Sequence, residues 1–400
     1  MKINVKDLIT FILLTIFCTI RFWGVNLVWY INVAIRLIII VFLILSNNLK
    51  IKYTKKSLKF FKITMLPIVL ILVYSCALWL LKGDLPAFNV ITNLFSSSIY
   101  LLIDSIFAIL LYSEYKEKSV DMFVKSGFAS YIVGSVIPLI FKFKSAGLLY
   151  LLTSYSTNYD LLYLTEVNDL TFGIGFCMLY YLFFDTRDKK HKKTYIILCF
   201  LLIFWGLKRI EIFALILCYL FYKFILRKFS LSKASIIATI SVLIVSYAYV
   251  MFIHNNELIS LADKYDINFM GRLTTYQFVA EEYSEFSPLY LGIGFGYIDE
   301  ILDDLVKANY HIGYIPVISL HSDILRMYIG IGFIAFGLWI IYQIRLKTKI
   351  IQNKIDYNCA KAYLLYTVFL FVLYLTDNTY SYPITFTLYL ICTLATLEKE

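Results

Sequence analysis

The sequence predicts an all-α polytopic membrane protein, and its composition and its apolar runs both indicate this. Of its 400 residues, 60% are hydrophobic and 16% are charged, whereas a soluble domain has about 45–50% apolar and about 25% charged residues. The mean hydropathy is +0.76. Apolar residues also occur in runs close to the length of a bilayer crossing, which needs about 20 residues. The composition therefore excludes an ordinary soluble domain.

About twelve apolar runs are candidate transmembrane helices. They cover residues 8–23, 28–46, 63–81, 97–112, 123–141, 168–184, 195–208, 210–226, 234–253, 318–344, 362–376 and 382–396. The first run lacks a small-residue cleavage site and leads into a second run, so we expect no cleavable signal. We predict one integral membrane domain over residues 1–400. Its single long loop, residues 254–317, lies between the ninth and tenth helices.

The distribution of Lys and Arg predicts the orientation, because cytoplasmic loops retain positive charge. With the N-terminus inside, the inner loops hold basic clusters at 50–62, 187–193, 227–233 and 345–361. The long loop instead holds ten acids and three basic residues, Lys264, Arg272 and Lys307. We therefore expect this loop to face outward. The net charge of +10 then reflects membrane orientation, and no nucleic-acid partner is expected.

Cysteine and histidine spacing argues against a metal or redox centre. The seven cysteines lie in or beside the apolar runs, so an external disulfide is not expected. The four histidines form no HxxxH or HExxH pattern, so we expect no catalytic zinc and no other metal or cofactor. Gly292-x-Gly294-x-Gly296 is not a dinucleotide-binding signature here, because no βαβ unit surrounds it.

Charges placed in or against lipid hydrocarbon are costly, so those that persist are candidates for function. The candidates are Arg209 with Lys208 and Glu211, Arg272, His321 with Asp323 and Arg326, and the more isolated Arg21, Arg36 and Asp104. For Arg21 and Arg36 the expected role is snorkelling to the headgroups. Snorkelling is a weaker explanation for Arg209, because the predicted topology puts this residue on the outer side, against the positive-inside trend.

Several of these residues fall in an ordered set of motifs. The set runs from Trp205-Gly206-Leu207-Lys208-Arg209 through Gly271-Arg272 and the Gly292–Gly296 strip to His321-Ser322-Asp323 and Gly332-Phe333-Ile334-Ala335. In order and spacing it resembles the O-antigen ligase and O-antigen/capsule polymerase superfamily, whose members move glycans off polyprenyl pyrophosphate carriers. Asn168-Asp169-Leu170-Thr171 resembles a further feature of that family. The resemblance covers about residues 165–345. This sequence departs from the family pattern at Ala335, where glycine is usual, and at Lys208, where serine is usual.

The resemblance implies residue roles that suit the chemistry of glycan transfer. A pyrophosphate leaving group gains negative charge as the glycosidic bond breaks, and a guanidinium can contact it bidentately. Arg209 and Arg272 are the expected pyrophosphate-binding residues. The acceptor hydroxyl must lose a proton, and His321 is the expected general base. Each residue taken alone also fits a structural role: His321 a helix cap, Arg272 a loop charge and the glycines a flexible loop.

The remaining candidates are expected to support His321. Asp323 and Arg326, at i and i+3, are predicted to form an ion pair or to orient the histidine. Gly332 lies eleven residues after His321, which in a continuous helix places it on the same face, beneath the histidine. Together with Gly330 and Ala335 it would allow close approach of a neighbouring helix or a lipid tail.

These observations lead to three functional hypotheses. The first is a Wzy-type glycosyltransferase that polymerises undecaprenyl-pyrophosphate-linked oligosaccharide repeat units into O-antigen or capsule at the outer face of the bacterial cytoplasmic membrane. Its partners would be the lipid-linked donor and acceptor, membrane lipid, and a chain-length regulator and flippase of the same pathway. The second is an O-antigen ligase that transfers polymer to the lipid A core. The third is a flippase or other secondary transporter, although transporters usually carry their binding groups at the bilayer midplane.

Overall fold

The structure is a computed structural model that describes residues 4–23, 28–83, 86–143, 167–206, 208–265, 272–307, 311–312, 315–316 and 320–398. Its helices before the long loop are α1 Val5–Thr19, α2 Val28–Leu45, α3 Lys55–Lys82, α4 Phe88–Tyr115, α5 Lys118–Tyr131, α6 Ile137–Phe143, α7 Asn168–Phe183, α8 Lys189–Gly206, α9 Arg209–Phe221 and α10 Leu231–His254. A π-helical turn joins α5 to α6, and another follows α9.

Within its described residues, the long loop contains three short helices and a small antiparallel strand pair. The helices are α11 Glu257–Lys264, α12 Arg272–Tyr283 and α13 Tyr297–Lys307, and the strands are β1 His311–Ile312 and β2 Ile315–Pro316. After the loop come α14 Asp323–Ile341, α15 Lys347–Lys354, α16 Tyr357–Leu373 and α17 Pro383–Leu394, with a π-helical turn between α14 and α15.

The predicted helical membrane architecture is confirmed at a coarse level. Each of the twelve apolar runs overlaps a helix, and five helical segments within the described residues are long and apolar enough to cross a membrane: Lys55–Lys82, Phe88–Tyr115, Lys118–Phe141, Leu231–His254 and Asp323–Lys354. The number of spans and their orientation stay predictions. Most of α7, α16 and α17 is buried, so these three helices form the centre of the bundle.

Clusters of polar residues lie at both ends of the bundle. At the end predicted to be cytoplasmic, Lys6 Nζ lies 2.5 Å from Glu114 Oε1 and Arg187 Nη1 lies 2.7 Å from Asp121 Oδ2. Glu114, Asp121 and Arg187, with His191, line a cavity of about 910 Å³. The loop helices pack against the opposite end, where α12 contacts α10 and α13 contacts α4. The segregation agrees with the charge asymmetry of the sequence.

Helix α14 is interrupted at Gly332, which has φ 77° and ψ 176°. The prediction that Gly332 lies on the same helix face as His321 is therefore wrong, because the helix is not continuous between them. The break leaves the carbonyl of Ile329 and the N–H of Phe333 without their partners within the helix. Residues 290–296 of the loop, here called the glycine strip, satisfy both: Ile293 N donates to Ile329 O at 3.1 Å, and Phe333 N donates to Tyr290 O at 2.9 Å.

The glycines of the strip are required because its backbone is packed directly against other backbone and ring atoms. Gly292 has φ +89°, and a Cβ there would lie 2.5 Å from the carbonyl oxygen of Gly330. Gly294 has φ +96°, and its Cβ would lie 2.2 Å from Trp79 Nε1. Both positions therefore exclude larger residues, and the strip is a fixed structural element.

Candidate functional site

Four polar side chains from separate parts of the sequence come together at the loop end of the bundle. Lys208 precedes α9, Arg272 begins α12, His321 lies two residues before α14, and Asp377 lies in the turn between α16 and α17. The positive charges of Lys208 and Arg272 both act to lower the pKa of His321 and of Asp377. These four residues are called the polar cluster below.

Hydrogen bonds through the backbone hold the cluster together. Arg272 Nη1 donates to Thr376 O at 3.1 Å, which fixes α12 next to the turn that carries Asp377. Tyr276, one turn further along α12, donates its hydroxyl to the carbonyl of His321. Asp323 N in turn donates to Asp377 O at 3.3 Å. The loop helix α12, the start of α14 and the α16–α17 turn therefore form one connected unit.

His321 is partly buried and lies in a positive field. Burial, Arg272 and Lys208 together lower the pKa of His321 from its ordinary value of 6.5 to about 4. The imidazole is therefore neutral at pH 7 and can accept a proton. It has become a weaker base than a solvated histidine, because the protonated form is disfavoured by the same burial and the same two cations.

Asp377 belongs to the site, although sequence reasoning did not single it out. It is 2% exposed, and its Oδ1 accepts from Tyr382 Oη at 3.1 Å and from Asn168 Nδ2 at 3.3 Å. Burial raises the pKa of Asp377, while Lys208 and Arg272 act in the opposite direction. The only indication in the sequence is that this acidic residue lies between the apolar runs 362–376 and 382–396, on the predicted outer side.

Lys208 and Arg209 differ in burial. Lys208 is 8% exposed and lies near His321 and Asp377, whereas Arg209 is exposed on the surface of α9. Lys208 is the N-cap of α9 and has an extended backbone, so its side chain does not follow the rotation of the helix that carries Arg209. The structure places Arg272 and His321 in one cluster, and it puts Lys208, and not Arg209, beside them.

Asp323 and Arg326 have different partners from those predicted. Asp323 is 1% exposed and its Oδ2 accepts from Tyr380 N at 2.7 Å, so it secures the α16–α17 turn. Arg326 forms an ion pair with Asp299 of the loop helix α13. The expected local pair is therefore replaced by two long-range contacts, both of which tie α14 to neighbouring segments. Asp323 Oδ1 is buried without a hydrogen-bond partner within the described residues.

Two further charged pairs lie outside the polar cluster and correct the expectation of snorkelling. Arg21 Nη2 lies 2.6 Å from Asp169 Oδ2, and Asp169 Oδ1 also accepts from the N–H of Thr385 at 2.8 Å near the start of α17. Arg36 is fully buried and pairs with Asp104 between α2 and α4. Both arginines are therefore neutralised inside the protein and do not reach for headgroups.

The described residues contain no group of three or more His, Cys, Asp or Glu side chains placed to hold a metal ion. No protein-family model matches the sequence, and no curated protein matches it.

Proposed function

We propose that the protein is a glycosyltransferase of the Wzy type, which polymerises undecaprenyl-pyrophosphate-linked oligosaccharide repeat units at the outer face of the bacterial cytoplasmic membrane. The observation that carries the proposal is the polar cluster: two cations, a neutral histidine and a buried acid meet at the loop end of an apolar helical bundle. A lipid-linked donor needs such a place, where an apolar exterior holds its tail and a cationic end holds its pyrophosphate.

The cations fit the charge of the leaving group. Arg272 is held by Thr376 O through Nη1, which leaves the other guanidinium donors to contact pyrophosphate oxygens. Lys208 adds a second positive charge near the same point. Because negative charge on the pyrophosphate grows as the glycosidic bond breaks, fixed cations stabilise the transition state more than the ground state. In this scheme Arg209 contributes at most from the rim, since its side chain is exposed.

His321 serves as the proton acceptor. The hydroxyl oxygen of the acceptor sugar bonds to the anomeric carbon of the donor, and the bond from that carbon to the pyrophosphate oxygen breaks. The hydroxyl proton passes to the imidazole of His321, and undecaprenyl pyrophosphate leaves. A bound pyrophosphate also offsets the positive charge of Arg272 and Lys208, which raises the basicity of His321 when the donor is in place.

Deletion of the gene distinguishes the polymerase from its alternatives by the glycan that remains. A polymerase mutant carries single repeat units on the cell surface. A ligase mutant carries bare core and accumulates polymer on the lipid carrier, and a flippase mutant lacks external lipid-linked repeats. Surface glycan of single-repeat length is the expected result, and either of the other two patterns would refute the proposal.

A further inference from the structure

The glycine strip lies well below the loop end of the bundle. It bonds to α14 at Ile329 and Phe333, and Gly332 is nine residues into that helix, which at 1.5 Å per residue is about 13 Å. On the opposite side Tyr74 Oη donates to Leu291 O at 2.7 Å. Tyr74 lies eight residues before the end of α3, or about 12 Å. Two helices of membrane-spanning length therefore place the strip at the same depth.

Several backbone groups of the strip bond to protein partners, which non-helical backbone at that depth requires. Trp79 Nε1 donates to Ile293 O at 2.9 Å, and Lys82 Nζ donates to Gly292 O at 2.9 Å. Gly294 N donates to Gly330 O at 2.9 Å, and Phe295 N donates to Ser75 Oγ at 3.0 Å.

The chain on the approach to the strip presents apolar side chains outward. Leu289 is 87% exposed and Leu291 is 54% exposed. Leu291 lies against α14 at Gly332, where a Cβ would be 2.3 Å from Leu291 C, and the nearby residues Ile334 and Leu338 of that helix are 59% and 60% exposed. An apolar patch that adjoins the outer surface of a membrane-spanning helix contacts the same environment as that surface, which is lipid hydrocarbon.

We propose that residues 286–291 form a re-entrant segment whose partner is the hydrocarbon of the outer leaflet, contacted by the side chains of Leu289 and Leu291. The loop 254–317 is thus not wholly extracytoplasmic. The re-entrant segment starts from the membrane–water interface near Ser284, whose Oγ lies 3.1 Å from Nε2 of His254 at the end of α10.

The re-entrant segment also anchors the helix that carries Arg272. Tyr290 Oη shares its one hydrogen between Tyr283 O, the last carbonyl of α12, at 3.0 Å and Ile329 O of α14 at 2.8 Å. Lipid contact and backbone pairing therefore fix one end of α12, while Thr376 fixes Arg272 at the other. The inference concerns the lipid-facing surface and does not depend on the proposed polymerase reaction.

Spin labelling of the full-length protein in phospholipid vesicles tests this inference. A nitroxide is attached to Leu289→Cys, and its collision rates with oxygen, which partitions into hydrocarbon, and with a water-soluble nickel chelate are measured. Leu338→Cys on α14 is the lipid-facing reference, and Asp304→Cys on the exposed side of α13 is the aqueous reference. The unsubstituted protein gives the background, since six of its cysteines are buried and Cys76 is partly buried.

We expect Leu289→Cys to match Leu338→Cys, with oxygen collisions exceeding nickel collisions, and Asp304→Cys to show the reverse. Leu291→Cys provides a second position with the same expectation. Nickel accessibility at both leucine positions equal to that of Asp304→Cys would overturn the inference. Leu289 is suited to the test because a side chain with 87% exposure contributes little to packing.

Discussion

Replacement of Gly332 by alanine tests the broken helix and the strip that completes it. Gly332 has φ +77°, and a Cβ there would lie 2.3 Å from Leu291 C and 2.4 Å from Tyr290 O, both backbone atoms. No side-chain rotation relieves that overlap, so the strip must move away from α14. Gly330→Ala is the matched control, because Gly330 does not have positive φ and its Cβ would lie no closer than 3.4 Å to any atom.

The cost can be worked out from the bonds that the movement breaks. Three backbone hydrogen bonds join the strip to α14, and each contributes about 1 kcal/mol. The left-handed conformation of a non-glycine residue costs about 1–3 kcal/mol more. We therefore expect Gly332→Ala to lower the free energy of unfolding by about 4–6 kcal/mol, and Gly330→Ala to change it by less than about 1 kcal/mol.

Unfolding of the purified protein from mild detergent micelles by titration with SDS measures both variants. The loss for Gly332→Ala should be accompanied by loss of activity, because the strip positions α12 and its Arg272. Equal stability of the two variants would show that α14 does not need the break, and it would refute the account of the strip.

Three further predictions concern the polar cluster and the orientation. Arg272→Ala and Lys208→Ala should each reduce polymer formation by at least about 10-fold with normal membrane insertion, while Arg209→Ala should form polymer at nearly the wild-type level. Loss of polymer formation in Arg209→Ala alone would show that Arg209, and not Lys208, is the cation that acts in the polar cluster. His321 binds its proton less strongly in the folded state, with a pKa of about 4 against 6.5 when unfolded, so its contribution to stability is complete above pH 6.5 and is lost as the pH falls to 4. The free energy of unfolding of wild type should thus fall by up to about 3 kcal/mol relative to His321→Asn over that range. The acid limb of the kcat profile should lie at higher pH than that of kcat/KM, because bound donor raises the pKa of His321. Coincident acid limbs would contradict this electrostatic effect of the donor. Cysteine labelling at position 304 should occur only from outside the cell, and labelling from the cytoplasm would overturn the orientation.

The helices were largely predictable from the sequence because membrane helices satisfy their backbone locally and leave apolar runs. The break at Gly332 was not predictable, because Gly330 and Gly332 are also compatible with a continuous helix whose small residues allow close packing. The break depends on N–H groups of the glycine strip, which lies about 40 residues earlier in the chain. Long-range pairing of this kind leaves no periodic signal.

The site was predictable in part for a similar reason. Arg272 and His321 lie in one cluster, but the choice between Lys208 and Arg209 depends on how the chain enters α9, which the sequence does not determine. Asp323 and Arg326 have the spacing of a local pair, yet their partners come from the α16–α17 turn and from α13. Asp377 is recognised as part of the site only from its hydrogen bonds with Asn168 and Tyr382, which are distant contacts or contacts across a turn.

Polymerisation by the purified protein, supplied with lipid-linked repeat units, tests the central claim most directly. Wild type should extend the units into polymer, and His321→Asn should do so about 10²–10⁴-fold more slowly while it binds the donor as before, because Lys208 and Arg272 are intact. A wild-type protein that binds donor but forms no polymer would contradict the proposed reaction. Near-normal turnover by His321→Asn would contradict the role of His321 as the proton acceptor.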